Sequence, residues 1–355
     1  MATESSVDQE RLEAFMGKVG GNISGWSSVI LAYLGDRLGL FKDLSRHGPA
    51  TSTELARRAS VNERYTREWL GGMAAAGYLT YDAATMRFTL PPEQALVLAD
   101  EGGPAFMGGY FQALKGLGGP LDQLHDVFMN GGGIPHAAYD DDWWVGMERI
   151  TAVGYDNRLV QHWIPGMPAV QQLLEQGASV ADIGCGHGRA TIVLAKAFPN
   201  SRFVGFDAFP PAVARATRKA EEAGVADRVR FEVREVAEGL PGHYDVITTF
   251  DVIHDAAHPL ALLRTIRQAL RSGGRYICME ANCSHNLEEN LTPLGTALHA
   301  FSITYCMTTS LGIGGEGLGT LGMPPKKLEE LCHAAGFSSV RIVDDYDDIV
   351  YEVMP

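Results

Sequence analysis

Apolar residues recur every three or four positions through the first part of the chain, as they do along a helix that packs one face against a core. Between residues 15 and 40 they include Val29, Ile30 and Tyr33, and an apolar Leu40-Phe pair closes the pattern. This spacing predicts one long helix over 15–40.

Two shorter helices and a hairpin are expected next. A Thr-Ser-Thr-Glu sequence is typical of a capping box and predicts a helix over 51–58, and a second apolar pattern predicts one over 63–76. The alternating runs at 78–82 and 86–90 then predict a β-hairpin. Helices followed by a hairpin in this order indicate a winged helix over 1–100.

From about residue 166, short β-type runs alternate with helical patterns, as they do in a parallel sheet covered by helices. The pattern predicts an α/β fold with a seven-stranded, doubly wound, Rossmann-like sheet over 166–355. Helices are expected at 212–222, 260–270 and 325–335. The expected strands are 178–183, 202–207, 228–233, 243–250, 274–281, 338–343 and 349–354.

Two glycine-rich segments interrupt these patterns. Residues 101–165 are interpreted as a helical linker that forms part of a pocket, with glycine runs marking loops. Residues 282–322 are interpreted as an insertion that is either a lid or a plain flexible loop. Gly312, Gly314 and Gly317 match the dinucleotide pattern G-x-G-x-x-G, but no predicted strand precedes them, so we do not expect nucleotide binding there.

Size and charge narrow the function. A chain of 355 residues is expected to hold more than one domain, and its net charge of −14 disfavours nucleic acid as the main partner. The predicted second helix of the winged helix mixes Arg64 and Arg67 with Glu63 and Glu68, so we expect this domain to mediate homodimerisation rather than DNA binding.

Location and metal content follow from what the sequence lacks. The first thirteen residues do not resemble a signal peptide, no apolar run is long enough to span a membrane, and five scattered cysteines suit reduced thiols. We therefore expect a cytoplasmic protein without a membrane anchor. The Cys278, Cys283 and His285 group and the Cys332-His pair lack zinc-site spacing, so no metal is predicted.

The most specific chemical signal is the run Val-Ala-Asp-Ile-Gly-Cys-Gly-His-Gly, which begins at residue 180. Gly184, Gly186 and Gly188 allow a ligand to approach the backbone closely at the end of a strand. Asp182 offers a carboxylate to an ammonium group. About twenty residues later, Asp207 ends the next strand, where an acid can bind two ribose hydroxyls.

Together these residues resemble motif I and the following acid of class I S-adenosylmethionine (SAM) dependent methyltransferases. The resemblance implies SAM as cofactor and S-adenosylhomocysteine (SAH) as product; the glycine spacing disfavours NAD. Glu235 would bind the adenine amine, and Phe209 would pack on the ring or belong to the core. The expected cofactor residues are Asp182, Gly184, Cys185, Gly186, Gly188, Asp207, Ala208, Phe209, Glu235, Val236, Phe250 and Asp251.

A histidine supplies the candidate catalytic group. His254 follows the fourth strand of the sheet and should face the crevice where ligands bind in such folds. The Phe-Asp-Val-Ile-His-Asp segment resembles plant-type O-methyltransferases, in which a histidine near the acceptor acts as base. Asp255 or Glu280 could orient it. The alternative is a histidine that only lines the cofactor or substrate site.

Nearly the whole chain resembles bacterial SAM-dependent methyltransferases with a winged-helix-like N-terminal domain, one of them mycobacterial, that are often labelled transcriptional regulators. The resemblance implies transfer of a methyl group by in-line displacement to an O, N or S atom of a small-molecule acceptor. Tyr305, where relatives are expected to carry histidine, is a substrate-pocket candidate. Two alternatives stay open: a SAM-responsive DNA-binding regulator, and a SAM-fold enzyme with non-methyl-transfer chemistry.

Overall fold

The computed structural model describes residues 7–346 and 348–355. The chain divides into two compact units. The first is Met1–Lys115 with Val145–Ile150, and the second is Gly116–Trp144 with Thr151–Pro355. Within the described residues, no helix is both long and apolar enough to cross a membrane. The domain boundaries expected after residues 100 and 165 remain predictions.

The first unit contains helices and one short hairpin, in the order predicted for a winged helix. Its elements are α1 (Gln9–Arg37), α2 (Leu40–His47), α3 (Ser52–Ala59), α4 (Glu63–Ala75), β1 (Thr80–Asp82), β2 (Arg87–Thr89), α5 (Pro92–Leu98) and α6 (Gly108–Leu117). The predicted capping box is present: Thr51 Oγ1 accepts from the Glu54 amide at 3.3 Å, and Glu54 accepts from the Thr51 amide at 2.9 Å.

The first helix differs from its prediction at both ends. It starts at Gln9, and it ends at Arg37 before Gly39, which adopts a left-handed φ of +69°. Leu40 and Phe41, expected to close this helix, instead begin α2 and are buried in the core of the first unit. The left-handed turn at Gly39 therefore separates α1 from α2, which the apolar spacing had predicted as one continuous helix.

One face of α1 is apolar but not buried. Its exposed side chains are spaced alternately by four and three residues, which places them on one stripe of the helix. We call this set the α1 stripe; its members are between 39% and 63% exposed, and they are Leu12, Met16, Val19, Ile23, Trp26 and Ile30. Residues 9–27 are exposed on all sides of the helix.

The second unit alternates helices and strands after two initial helices; the middle of the second of these, Val145–Ile150, belongs to the first unit. Its elements are α7 (Leu121–Asn130), α8 (Asp141–Gly154), α9 (Pro168–Gln176), β3 (Ser179–Ile183), α10 (Arg189–Ala197), β4 (Arg202–Asp207), α11 (Pro210–Glu222), β5 (Val229–Val233), β6 (Tyr244–Phe250), α12 (Pro259–Ala269), β7 (Leu270–Ala281), α13 (Pro293–Phe301), α14 (Met307–Gly312), α15 (Pro325–Ala335), β8 (Ser339–Asp344) and β9 (Asp348–Met354).

These strands form one seven-stranded sheet in the order β5-β4-β3-β6-β7-β9-β8. The first five are parallel, whereas β9 pairs antiparallel with β7 and β8. Alternate residues of β3 enter two apolar cores: Val180 packs in one, and Ala181 and Ile183 pack in the other. Both faces are thus covered, as predicted for a doubly wound α/β fold.

Both glycine-rich segments, 101–165 and 282–322, contain a π-helical stretch that the sequence pattern did not predict. Residues Tyr155–Trp163 continue α8 as a π-helix, and Ser302–Cys306 form a π-helical turn between α13 and α14. Asp140 caps α8 by accepting from the amides of Asp142 and Trp143. The glycine pattern starting at Gly312 begins at the end of α14 and does not follow a strand.

Candidate active site

The glycine loop follows β3 at the carboxyl edge of the sheet. Gly184, Gly186 and Gly188 have φ values of +67°, +51° and +76°, in the region that favours glycine. A Cβ on Gly184 or Gly188 would lie 2.5 Å from a Val252 or a Phe231 side-chain carbon, whereas a Cβ on Gly186 would meet nothing within 4 Å. The free space in this loop therefore lies at Gly186.

Asp207 shapes the same loop from the neighbouring strand. Its Oδ2 accepts from the Gly186 amide at 2.9 Å, and its Oδ1 accepts from the Phe209 amide at 2.8 Å. Burial raises the pKa of Asp207, and these two backbone hydrogen bonds oppose the rise. The carboxylate thus joins the two loops that follow β3 and β4, and its contact with ribose hydroxyls remains a prediction.

Asp182 lies beneath the loop and is only 4% exposed. Its oxygens accept hydrogen bonds from the hydroxyls of Thr191 at 2.5 Å and Thr248 at 2.7 Å. Burial raises the pKa of Asp182 to about 6, although both hydroxyls oppose this rise. The two threonines hold the carboxylate in place without neutralising it, and sequence reasoning did not identify either of them.

A third acid, Asp251, is half-buried at the same edge of the sheet. Asp251 follows β6 with a left-handed φ of +57°, which is rare outside glycine, and its amide donates to the Met279 carbonyl at 2.9 Å. Burial and Asp348 raise the pKa of Asp251 well above its ordinary value, with His254 opposing them. Three carboxyl groups at adjacent strand ends therefore create a negative potential that a cationic ligand would relieve.

The remaining predicted cofactor residues occupy different environments. Phe250 and Val236 are buried in the apolar cores on the two faces of the sheet, so packing accounts for their side chains. Ala208 and Glu235 are exposed, and Glu235 accepts from the Ala237 amide at 3.3 Å. Cys185 is half-buried in the glycine loop, where burial raises its pKa well above the ordinary value.

His254 is buried between acids just after β6. Its Nδ1 lies 2.5 Å from Oε2 of Glu280, whose Oε1 accepts from the Ile253 amide at 2.8 Å. Its Nε2 lies 3.1 Å from Oδ1 of Asp255, but this contact is not aligned as a hydrogen bond. Of the two acids named as candidates to orient His254, Glu280 therefore makes the hydrogen bond.

The surroundings of His254 also set its charge. Burial alone disfavours the imidazolium form, but Asp255 and Glu280 outweigh it and raise the pKa of His254 well above its ordinary value.

The chain just after His254 is held by hydrogen bonds from the 282–322 insertion. The Glu316 amide donates to the Ala257 carbonyl at 2.8 Å, and Ser310 Oγ donates to the Ala256 carbonyl at 3.2 Å. The glycine-rich end of the insertion thus contacts the candidate site.

Tyr305 lies in an aromatic cluster within the second unit. Its ring centroid is 4.4 Å from that of Trp143 and 5.0 Å from that of Tyr139. The rings of His136 and Trp144 are 5.7 and 5.9 Å away. These five residues are called the aromatic cluster below. Sequence reasoning singled out Tyr305, but periodicity gave no signal for His136 or Tyr139.

The aromatic cluster adjoins the predicted cofactor residues. Trp144 stacks on Phe209, with centroids 4.9 Å apart and planes inclined by 27°. Burial lowers the pKa of His136, while Asp255, Asp207 and Glu235 act in the opposite direction, so these acids are close enough to influence the ring. The cluster, the glycine loop and the His254 segment therefore surround one region of the second unit.

The segment that contains the glycine loop matches a known domain family. A family model described as "Methyltransferase domain" matches residues 181–276. The chain therefore carries a methyltransferase domain over residues 181–276. A second family model, described as "Rv2258c-like winged HTH domain", matches residues 27–100 of the first unit. The predictions of fold class, family and winged helix are confirmed.

The methyltransferase domain also has curated relatives. A ubiquinone biosynthesis O-methyltransferase of Cereibacter sphaeroides is 32% identical over 107 residues, which are 30% of this chain and 42% of that protein. Another, of Pseudomonas aeruginosa, is 27% identical over 141 residues, which are 39% of this chain and 58% of that protein. The matched part thus covers about half the length of these relatives.

Several solved structures resemble this protein over nearly its entire chain, not only over the methyltransferase domain. PigF, solved with SAH, has a TM-score of 0.69 at 21% identity and covers 96% of this chain and 99% of its own. Human N-acetylserotonin methyltransferase, solved with SAM, has a TM-score of 0.68 at 16% identity and covers 99% of both chains. At these identities the likeness establishes the fold.

Proposed function

We propose that this protein binds SAM and transfers its methyl group to an oxygen of a small-molecule acceptor. The observation that carries the proposal is a group of three carboxyl groups beside the free space at Gly186: Asp182 is buried, and Asp207 and Asp251 are half-buried. Burying acids without neutralising them is costly. A ligand that bears positive charge, as SAM does on its sulfonium and ammonium groups, would offset that cost.

The residues present fit such a cofactor. When bound, SAM supplies an electrophilic methyl group on a sulfonium sulfur. Gly186 leaves room for its amino-acid moiety, and Asp182 and Asp207 give that side of the crevice its negative charge. Phe209 and Glu235 would contact the adenine. Cys185, Ala208, Val236 and Phe250 are proposed to contribute chiefly backbone or packing contacts.

We propose His254 as the base that takes the proton of the acceptor hydroxyl. Glu280 holds Nδ1, which leaves Nε2 as the atom that can accept a proton. Because neighbouring acids raise the pKa of His254, the neutral form that can act as base becomes populated at higher pH than in an ordinary histidine. The alternative, a histidine that only lines the site, predicts a much smaller loss of turnover on substitution.

The acceptor is proposed to be a small, flat and partly apolar molecule with a hydroxyl group. The aromatic cluster provides ring faces and edges for such a molecule, and the curated relatives are O-methyltransferases. The indole ring of Trp143 is buried against Tyr305, with ring centroids 4.4 Å apart, and extends this flat apolar surface.

The first unit is proposed to form a homodimer through the α1 stripe. Leu12, Met16, Val19, Ile23, Trp26 and Ile30 are exposed on one face of a helix at the spacing found in helix pairs. A second copy of the chain would cover both stripes at once, because a twofold interface is self-complementary. A cytoplasmic location is proposed together with this assembly.

Calorimetry with SAH and SAM on the purified chain tests the cofactor. We expect both to bind at one site per chain; absence of binding by both would contradict the proposal. A screen of phenolic, amine and thiol acceptors that monitors SAH release would then identify the acceptor atom. Binding without SAH release from any acceptor would favour non-methyl-transfer chemistry.

A second candidate function is a SAM-responsive DNA-binding regulator, which the match to a winged HTH domain favours. Charge opposes it, because on α4 Arg64 pairs with Glu68 and Arg67 pairs with Glu63 at 2.8 Å. Gel shifts with genomic fragments at physiological salt distinguish the two. Specific, SAM-sensitive shifts would support the regulator, and none are expected for the enzyme.

A further inference from the structure

Three potential metal ligands meet beside the proposed base. A ring nitrogen of His254, a carboxylate oxygen of Asp255 and Sγ of Cys306 all lie within 4.8 Å of one another, and Nε2 is the nitrogen that lies 3.1 Å from Asp255. His254 and Cys306 are 4% and 7% exposed. The sequence offered no signal for this group, because about fifty residues separate Cys306 from the His-Asp pair.

The hydrogen bond at the far side of the imidazole has the form found in metal sites. A histidine that binds a metal through one ring nitrogen usually donates the other N–H to a carboxylate, which fixes the ring and makes it a better ligand. Here Nδ1 lies 2.5 Å from Oε2 of Glu280, and the Ile253 amide holds Oε1 of the same carboxylate. The Glu280 carboxylate is therefore engaged, and Nε2 faces Asp255 and Cys306.

An independent observation concerns Asp255. Its Oδ1 is buried and, among the residues that the structure describes, accepts no hydrogen bond, although it lies 3.1 Å from Nε2 of His254. Buried carboxylate oxygens without a hydrogen-bond partner are rare because they lose the stabilisation that water provides. A metal cation between the three side chains would replace this poorly aligned contact with a coordinate bond to Oδ1.

We propose that His254, Asp255 and Cys306 form a binding site for Zn²⁺. Nitrogen, oxygen and sulfur donors together suit zinc, whereas Mg²⁺ and Ca²⁺ prefer oxygen donors alone. Three protein ligands leave a fourth tetrahedral position for water or another oxygen ligand. Binding replaces the thiol proton of Cys306 and the Nε2 proton of His254, both of which pass to solvent.

One consequence rests on the proposed function. Zn²⁺ on Nε2 would occupy the electron pair with which His254 takes the acceptor proton, so zinc would inhibit methyl transfer reversibly. The metal site itself does not depend on that role. Its test therefore uses no methyl acceptor.

The experiment titrates Co²⁺, a spectroscopic substitute for Zn²⁺, into the full-length chain after chelation and removal of any affinity tag. We expect one tetrahedral Co²⁺ per chain, a thiolate-to-metal charge-transfer band, and displacement of Co²⁺ by Zn²⁺. Cys306→Ser should abolish the band, and Asp255→Asn should weaken binding. Glu280→Gln should weaken it by roughly 10- to 100-fold, because Glu280 acts through the imidazole.

Cys332→Ser is the matched control, because Cys332 is also buried but packs in the apolar core. It should retain the band, and thermal unfolding without metal should show that every variant is folded. The proposal is wrong if the unsubstituted chain gives no charge-transfer band, or if the band survives in Cys306→Ser. With the site established, zinc inhibition of methyl transfer that a chelator reverses tests the consequence separately.

Discussion

Asp182 couples the stability of the fold to pH. Its folded-state pKa of about 6 is higher than the ordinary value of 3.8, so the folded protein favours the protonated form. The stability that this carboxyl group contributes is complete below pH 3.8 and is lost as the pH rises through 6. The ligand-free protein therefore retains a destabilising buried charge at neutral pH.

Asp182→Asn should remove this dependence. The amide keeps the shape and can bond both threonine hydroxyls, but it carries no charge. Relative to the unsubstituted chain, urea unfolding should show little difference at pH 4 and a gain of up to about 3 kcal/mol at pH 7.5. Calorimetry should show weaker SAH binding. Asp126→Asn, at an exposed aspartate, is the control; an equal gain at both pH values would contradict the assignment.

His254→Ala tests the proposed base. Turnover should fall by roughly 10²- to 10⁴-fold, since general bases contribute rate factors of that size, while SAH affinity stays nearly unchanged. Steady-state kinetics and calorimetry on the same preparation measure the two effects. A parallel loss of SAH affinity would instead identify His254 as part of the cofactor wall.

Glu280→Gln should shift the pH profile as well as the rate. Removing one of the two acids that raise the pKa of His254 lowers that pKa. The neutral imidazole then becomes available at lower pH, so the rise of kcat with pH should move to lower pH. The maximum should also fall, because the ring is held less firmly. A purely structural role would lower kcat without moving the profile.

At the level of elements, two glycines of the same loop are expected to serve different purposes: Gly188 allows close packing, and Gly186 leaves room for the cofactor. Gly186→Ala should cost about 1 kcal/mol for its left-handed backbone, yet its Cβ enters open space and should obstruct the cofactor. Gly188→Ala pays the same backbone cost plus about 1–3 kcal/mol for its collision with Phe231. Denaturant unfolding should rank Gly188→Ala as less stable, and only a folded Gly186→Ala that binds SAH normally would contradict the proposal.

The sheet could be predicted closely because each strand carries its own signal. Parallel strands covered on both faces form short continuous apolar runs, and β4 was predicted with the bounds that the structure shows, Arg202–Asp207. The strand β7 begins four residues earlier than expected, at Leu270, where it pairs with Tyr244 across an irregularity. Such an extension depends on the neighbouring strand and leaves no local pattern.

The site was harder to predict than the fold, because its residues meet only in three dimensions. Asp182 and His254 were identifiable from their places at strand ends. Thr191 and Thr248, which hold Asp182, are ordinary positions of a helix and a strand. The π-helical segments were also missed, because an extra residue per turn disrupts the 3.6-residue period that identifies helices.

At the level of the whole molecule, the α1 stripe makes assembly testable. Ile23→Glu places a charge in the middle of the apolar stripe and should convert a dimer to a monomer. Lys18→Glu, on the same exposed half of α1 but outside the stripe, is the matched control. Light scattering after size exclusion measures both; a dimer that survives Ile23→Glu would contradict assembly through this face.

The exposed part of α1, residues 9–27, has a further consequence, for cleavage by proteases. Four glycines, at positions 17, 20, 21 and 25, have no neighbouring atoms around their Cβ positions, and glycine weakens a helix by about 0.5–1 kcal/mol per residue. Arg11 and Lys18 in this half are trypsin sites. Trypsin should therefore cleave a monomer rapidly within α1, whereas dimerisation through the α1 stripe should protect these bonds. The rate of cleavage would then report the fraction of the protein that is dimeric.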